Sequence, residues 1–224
     1  MKNKERSIFS VGKDKENYDE RTIEKEILYK ISAIDTTRTN RIFASERLYR
    51  LSRKWEIVFF CMNILAILFL ISSILFFSES KAMTLITGFF SLYTIITQYY
   101  YNNLNYRERG LKYHYLELDL EQQIIQLKTL LRKKLPREEL EKEYKFIMNN
   151  YIYSLKGYEN HEEVDNENRR YCKENHEKAD NRSKQRSKKR DTLSDSVFYC
   201  GNIGIIIIFI IFYIILWILR FKGI

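Results

Sequence analysis

Proline occurs once and glycine seven times in 224 residues, so little in this chain interrupts a helix. Cysteine is also sparse. Cys61, Cys172 and Cys200 are an odd number without paired spacing, and they imply no disulfide framework. A glycine-rich phosphate loop, a Gly-x-Ser-x-Gly elbow and a carboxylate pair on a recognisable catalytic scaffold are all missing, which moves the expectation away from an enzyme and from any cofactor. Residues 1–19 are charged throughout and lack an apolar core, so no cleavable signal peptide is expected there and a mobile tail is. What the sequence does have is long apolar runs. Residues 57–77 and 83–101, joined by five residues, each match the length at which an α-helix crosses roughly 30 Å of hydrocarbon. Backbone polar groups in lipid must bond internally, so the pair reads as a transmembrane helical hairpin.

The second run carries a polar stripe. Thr84, Thr87, Ser91, Thr94 and Gln98 recur at steps of three and four with Gly88 beside them, so they share one helix face. A hydroxyl or amide facing lipid is costly, and the stripe should face protein or water. It suits either close helix packing or the lining of a conduit.

Charge sets the topology. The formal charge of +9 and pI near 9.3 would suggest nucleic acid for a soluble protein, but the basic residues cluster beside apolar spans, which argues against a nucleic-acid partner and for the lipid bilayer. Arg38, Arg41, Arg47, Arg50, Arg53 and Lys54 precede the first run, and Arg107, Arg109 and Lys112 follow the second. Both outer ends of the hairpin are therefore expected in the cytoplasm, with Trp55 and Tyr99 to Tyr101 forming an aromatic belt at that interface.

The expected fold class is an all-α integral membrane protein: a transmembrane helical hairpin with long cytoplasmic helical extensions plus a third C-terminal transmembrane helix. Ile23, Ile27, Ile31 and Ile34 mark a helix over residues 20–55 that enters the hairpin at 56–101. A helix over 102–135 then repeats Leu104, Leu111, Leu118 and Ile125 every seven residues, with Leu116, Leu120, Ile124, Leu127 and Leu131 adjoining, for packing within the chain or on a neighbouring copy. Pro136 stops it, and a folded-back helix and turn occupy 136–170, with Gly157 as a C-cap. Residues 171–196 read as a charged linker with a basic run from Arg182 to Arg190, and 197–220 as the third span, which shows no polar stripe.

Two stretches resemble a known family. "RIFASERLYRLSRKW", with Arg41 and Arg47, and "YSLKGYENHEEVD" are similar to the SLATT proteins, the SMODS and SLOG-associating two-transmembrane effectors of bacterial conflict systems. The resemblance covers about residues 20–170 and places the family's Asn-His pair and following Asp on Asn160, His161 and Asp165, after a helix bearing Tyr151 and Tyr153. It implies a multi-pass protein of the bacterial inner membrane, with a cytoplasmic N-terminus, that acts as an antiphage, abortive-infection effector: a homo-oligomer that perforates the membrane when a partner senses infection. That partner is expected to be a nucleotide second-messenger synthase, a SLOG sensor or a reverse transcriptase. The third apolar run departs from a bare two-span pattern. On this reading Thr84, Thr87, Ser91, Thr94 and Gln98 line a pore, Asn160, His161 and Asp165 form a structural or gating turn, and Arg47, Arg50, Arg53, Lys54, Arg107 and Arg109 set topology. The alternative is a non-conducting membrane scaffold for a soluble defence enzyme. Arg170 and His176 loosely fit a HEPN-like ribonuclease pair, while His161, Cys172 and His176 match no zinc spacing and are not expected to bind metal.

Overall fold

A computed structural model describes residues 21–77, 80–178 and 191–221. Among them are six helices and no strand: α1 (Ile23–Phe76), α2 (Lys81–Leu104), α3 (Tyr106–Arg132), α4 (Arg137–Leu155), α5 (Glu163–Lys178) and α6 (Leu193–Phe221). The expected N-terminal tail and the basic run from Arg182 to Arg190 lie outside the described residues. The expected all-α class is met. The described residues form two compact units, one within Met1–Arg47 and Glu108–Lys188, the other within Leu48–Arg107 and Lys189–Ile224.

Helix α1 runs unbroken for 54 residues, as the scarcity of glycine and proline predicts. The helix expected to continue past the second apolar run does not. Asn105 takes a left-handed conformation (φ 48°) and donates its backbone N–H to the Asn102 carbonyl, which ends α2 before α3 begins. Asparagine tolerates that region better than most side chains. Pro136 caps α4, and Glu138 and Glu139 place negative charge in its first turn. Helix α5 runs to Lys178 and α6 begins at Leu193, so both ends of the expected linker at 171–196 are helical.

In the first unit, Ile27 and Ile34 of α1 bury against Leu116, Leu120, Ile124, Leu127 and Leu130 of α3 and Leu140 and Ile147 of α4. Each such side chain contributes about 1.5–3 kcal/mol when fully buried. The heptad of α3 splits. Its adjoining stripe supplies this core, whereas Leu111, Leu118 and Ile125 stay exposed. Gly157, with φ +86°, turns the chain between α4 and α5. An added Cβ there meets nothing within 4 Å, so Gly157→Ala should cost only the backbone strain, about 1 kcal/mol, read as a lower thermal midpoint by circular dichroism.

In the second unit, α2 runs antiparallel to α1. Trp55 meets Tyr101 at 5.7 Å between ring centroids, Phe69 meets Phe90 at 5.2 Å, and Phe77 and Met83 share a cluster beside the turn. Ser80 N-caps α2 by accepting the Met83 N–H. Helix α6 packs on both. Phe69 stacks on Tyr213 at 4.3 Å, Phe90 meets Phe209 at 5.0 Å, and Trp55 meets Phe198 at 5.2 Å. Among the described helices, α1 and α6 are long and apolar enough to cross a membrane. Helix α2 is long enough but less apolar, because its hydroxyls, amide and tyrosines dilute it. It lies against both partners over the same stretch.

Candidate functional site

The expected Asn-His turn is anchored on α1 and α3. Asp165 is fully buried and Arg47 nearly so, and two parallel bonds join them, Nε to Oδ1 at 2.8 Å and Nη2 to Oδ2 at 3.1 Å. Asp165 Oδ2 also accepts the Glu162 N–H at 3.1 Å, so one carboxylate holds the arginine and closes the first turn of α5. Arg47, expected to set topology, is a structural partner. Buried ionic groups are costly unless fully paired, and this pair is bidentate.

His161 bonds Asn40 of α1, with Nδ2 and Nε2 3.0 Å apart. Arg169 Nε donates to Asn40 Oδ1 at 2.7 Å. Arginine can only donate, so Asn40 must present its amide N–H to the imidazole, which makes Nε2 the acceptor and puts the neutral ring's proton on Nδ1. That Nδ1 is buried with no hydrogen-bond partner among the described residues. Burial first, then the Arg41 and Arg169 charges, hold His161 below its usual pKa, against the opposing pull of Asp165. The folded protein therefore binds fewer protons than the unfolded chain just below pH 6.5. Stability should be present above that pH and fall as pH drops through this window. The thermal midpoint followed from pH 7.5 to about 5 checks this, and in His161→Gln the slope should flatten.

The rest of the turn is held through its backbone. Arg41 Nη1 donates to the Glu159 carbonyl at 2.6 Å and its guanidinium lies 5.2 Å from the Tyr113 ring centroid, while Tyr113 Oη donates to the Asn160 carbonyl at 3.0 Å. Arg109 bonds the Glu159 carboxylate at 2.8 Å. Asn160 thus contributes its carbonyl, and its side chain is exposed. Tyr151 packs partly into the core and Tyr153 is exposed. Sequence reasoning missed Asn40, Tyr113 and Arg169 because their partners lie 47 to 129 positions away. Arg170 is exposed, and the His176 side chain lies outside the described residues. No His, Cys, Asp and Glu cluster among the described residues is arranged to hold a metal.

In the second unit the polar stripe of α2 divides. Thr87 and Thr94 are buried and donate to the Met83 and Phe90 carbonyls of their own helix, at 2.8 and 2.9 Å. Thr84 is exposed, and Ser91 and Gln98 are half-buried, the three spaced seven apart along one rim with exposed Gly88. On α1, Glu56 and Asn63 are exposed and also seven apart. Of the residues that meet α6, Ser72 and Phe76 on α1 and Tyr93 on α2 stand about half a turn from these rims at 100° per residue, and Trp55 and Phe90 stand about 100° from them. The two helices are antiparallel, so both rims open on the hairpin face that α6 does not cover.

Helix α6, expected to show no polar stripe, carries isolated polar contacts, and Asp191 just before it carries two more. Tyr93 Oη donates to Asn202 Oδ1 at 2.5 Å, and Ser72 bonds the Tyr213 hydroxyl. Tyr106 Oη donates to Asp195 at 2.5 Å. Asp191 takes Arg50 Nη2 at 2.6 Å and Lys54 Nζ at 2.5 Å. Burial pushes the Asp191 carboxyl up, but these two cations outweigh it and hold it below the usual carboxylate range. Of the six residues expected to set topology, Arg53 and Arg107 remain exposed, while the other four are in ion pairs.

The family model for SMODS and SLOG-associating 2TM effector domain family 5 matches residues 23–221. The chain belongs to this family. The match takes in α6, so the third apolar helix is part of the SLATT domain, and the resemblance extends well past residue 170. No curated protein and no solved structure matches the chain. As a SLATT protein it is a membrane effector domain of a family that associates with SMODS and SLOG partners.

Proposed function

We propose that this SLATT protein is a homo-oligomeric effector of bacterial antiphage defence that permeabilises the inner membrane when a partner activates it. The observation that carries the reading is the hairpin face away from α6, where Glu56 and Asn63 of α1 and Thr84 of α2 are exposed and Ser91 and Gln98 of α2 are half-buried. An amide left against hydrocarbon is costly, so this face calls for water or another protein copy. Two helices cannot enclose water. Several copies around an axis can, with the rims turned inward, and the exposed α3 ridge of Leu111, Leu118 and Ile125 offers the same copies an apolar contact.

Topology follows the basic residues, with both outer ends of the hairpin cytoplasmic. The resting arrangement is closed. A partner of the SMODS or SLOG kind, or a reverse transcriptase, shifts it only by binding the open arrangement more tightly. Reconstitution of purified protein into planar bilayers and dye-loaded liposomes tests the reading. Current and leakage are expected. Intact vesicles, together with tight capture of a soluble defence enzyme and no depolarisation on overexpression, would show a non-conducting scaffold instead.

A further inference from the structure

We infer that Glu56 sets the ion selectivity of the conduit, making it cation-selective at its cytoplasmic mouth. The inference rests on the conducting reading above. No Asp, Glu, Lys or Arg occurs at 57–78, 82–106 or 196–219, so Glu56 is the last ionisable charge met on entering from the basic side. It lies on the same face as Asn63, and its carboxylate is positioned. Tyr101 Oη donates to Ser52 Oγ at 3.1 Å, and Ser52 Oγ donates to Glu56 Oε1 at 3.1 Å. Ser52 is itself buried, so this short relay fixes the carboxylate while leaving it exposed on the uncovered side.

Two of the nearby cations are engaged elsewhere. Arg50 and Lys54 are held by Asp191 on the side that α6 covers, and Arg53 lies one turn farther from the apolar stretch. A fixed charge acts most strongly where it borders low dielectric. Copies around an axis turn one Glu56 into a ring of carboxylates, the arrangement that concentrates cations at a pore entrance.

The test measures the potassium-to-chloride permeability ratio from reversal potentials in planar bilayers under a potassium chloride gradient, using the full chain. Wild type should favour potassium. Glu56→Gln should lower the ratio roughly tenfold, Glu56→Lys should bring it below one, and Glu56→Asp should keep it near wild type. Size-exclusion chromatography of each variant confirms that assembly persists. A conducting wild type whose ratio is unmoved by Gln and Lys overturns the assignment and leaves the conduit standing. A wild type that passes no current overturns both.

Discussion

Arg47→Ala should lower stability by about 3–5 kcal/mol, because it leaves the Asp165 carboxylate fully buried without its counter-charge. Asp165→Asn should cost less than Arg47→Ala: an amide still accepts one bond, although the arginine loses its charge partner. Much of the cost is the penalty of an orphaned charge, so removing both together should hurt less than the sum. Arg47→Met combined with Asp165→Leu keeps the volume apolar and should recover part of the loss. Thermal unfolding of wild type, Arg47→Ala and Asp165→Asn checks the ordering, and wild type, Arg47→Met, Asp165→Leu and their double variant close the cycle, all in nanodiscs and followed by helical circular dichroism. A double variant as unstable as the sum of the singles would mean that the two residues act separately. The Glu162 N–H should also lose its acceptor in Asp165→Leu, so limited proteolysis is expected to open the 158–163 stretch in that variant first.

The second large effect is on conductance. Ser91→Leu with Gln98→Leu replaces the polar atoms of the α2 rim by apolar ones at positions less buried than Thr87 and Thr94. Planar-bilayer current should fall to background while the assembly keeps its size. Thr87→Leu and Thr94→Leu should behave differently. Those side chains are 1% and 2% exposed, so larger groups overpack the seam against α1 and should cost about 1–3 kcal/mol each, seen as a lower thermal midpoint. If Ser91 and Gln98 tolerate leucine with full current, the rim does not line the path.

The helices were legible from the sequence because their causes are local. One proline, an acidic first turn after it, and isoleucines at helical spacing define α4 and the start of α1 without any tertiary information. The left-handed Asn105 was not legible, since asparagine only permits that conformation and does not demand it. Within the site, the spacing of the α2 stripe puts its five residues on one side of the helix, where the structure divides them between buried and exposed positions. Which half of it turns inward depends on where α1 and α6 pack, and helical periodicity alone does not contain that. Arg47 illustrates the same gap. Its place before an apolar run suggests topology, but its partner Asp165 sits 118 positions later, and only the fold of the first unit brings them together.

Asn202 and Tyr213 bear on how any opening can proceed. Sliding α6 away from the hairpin would break the Tyr93–Asn202 and Ser72–Tyr213 bonds and leave the two phenols without these partners in an apolar setting. In the proposed conduit, the cheap movements are therefore those in which α1, α2 and α6 of one copy travel as a single body, so that a passage would be widened by tilting whole copies against each other rather than by withdrawing one helix as a plug.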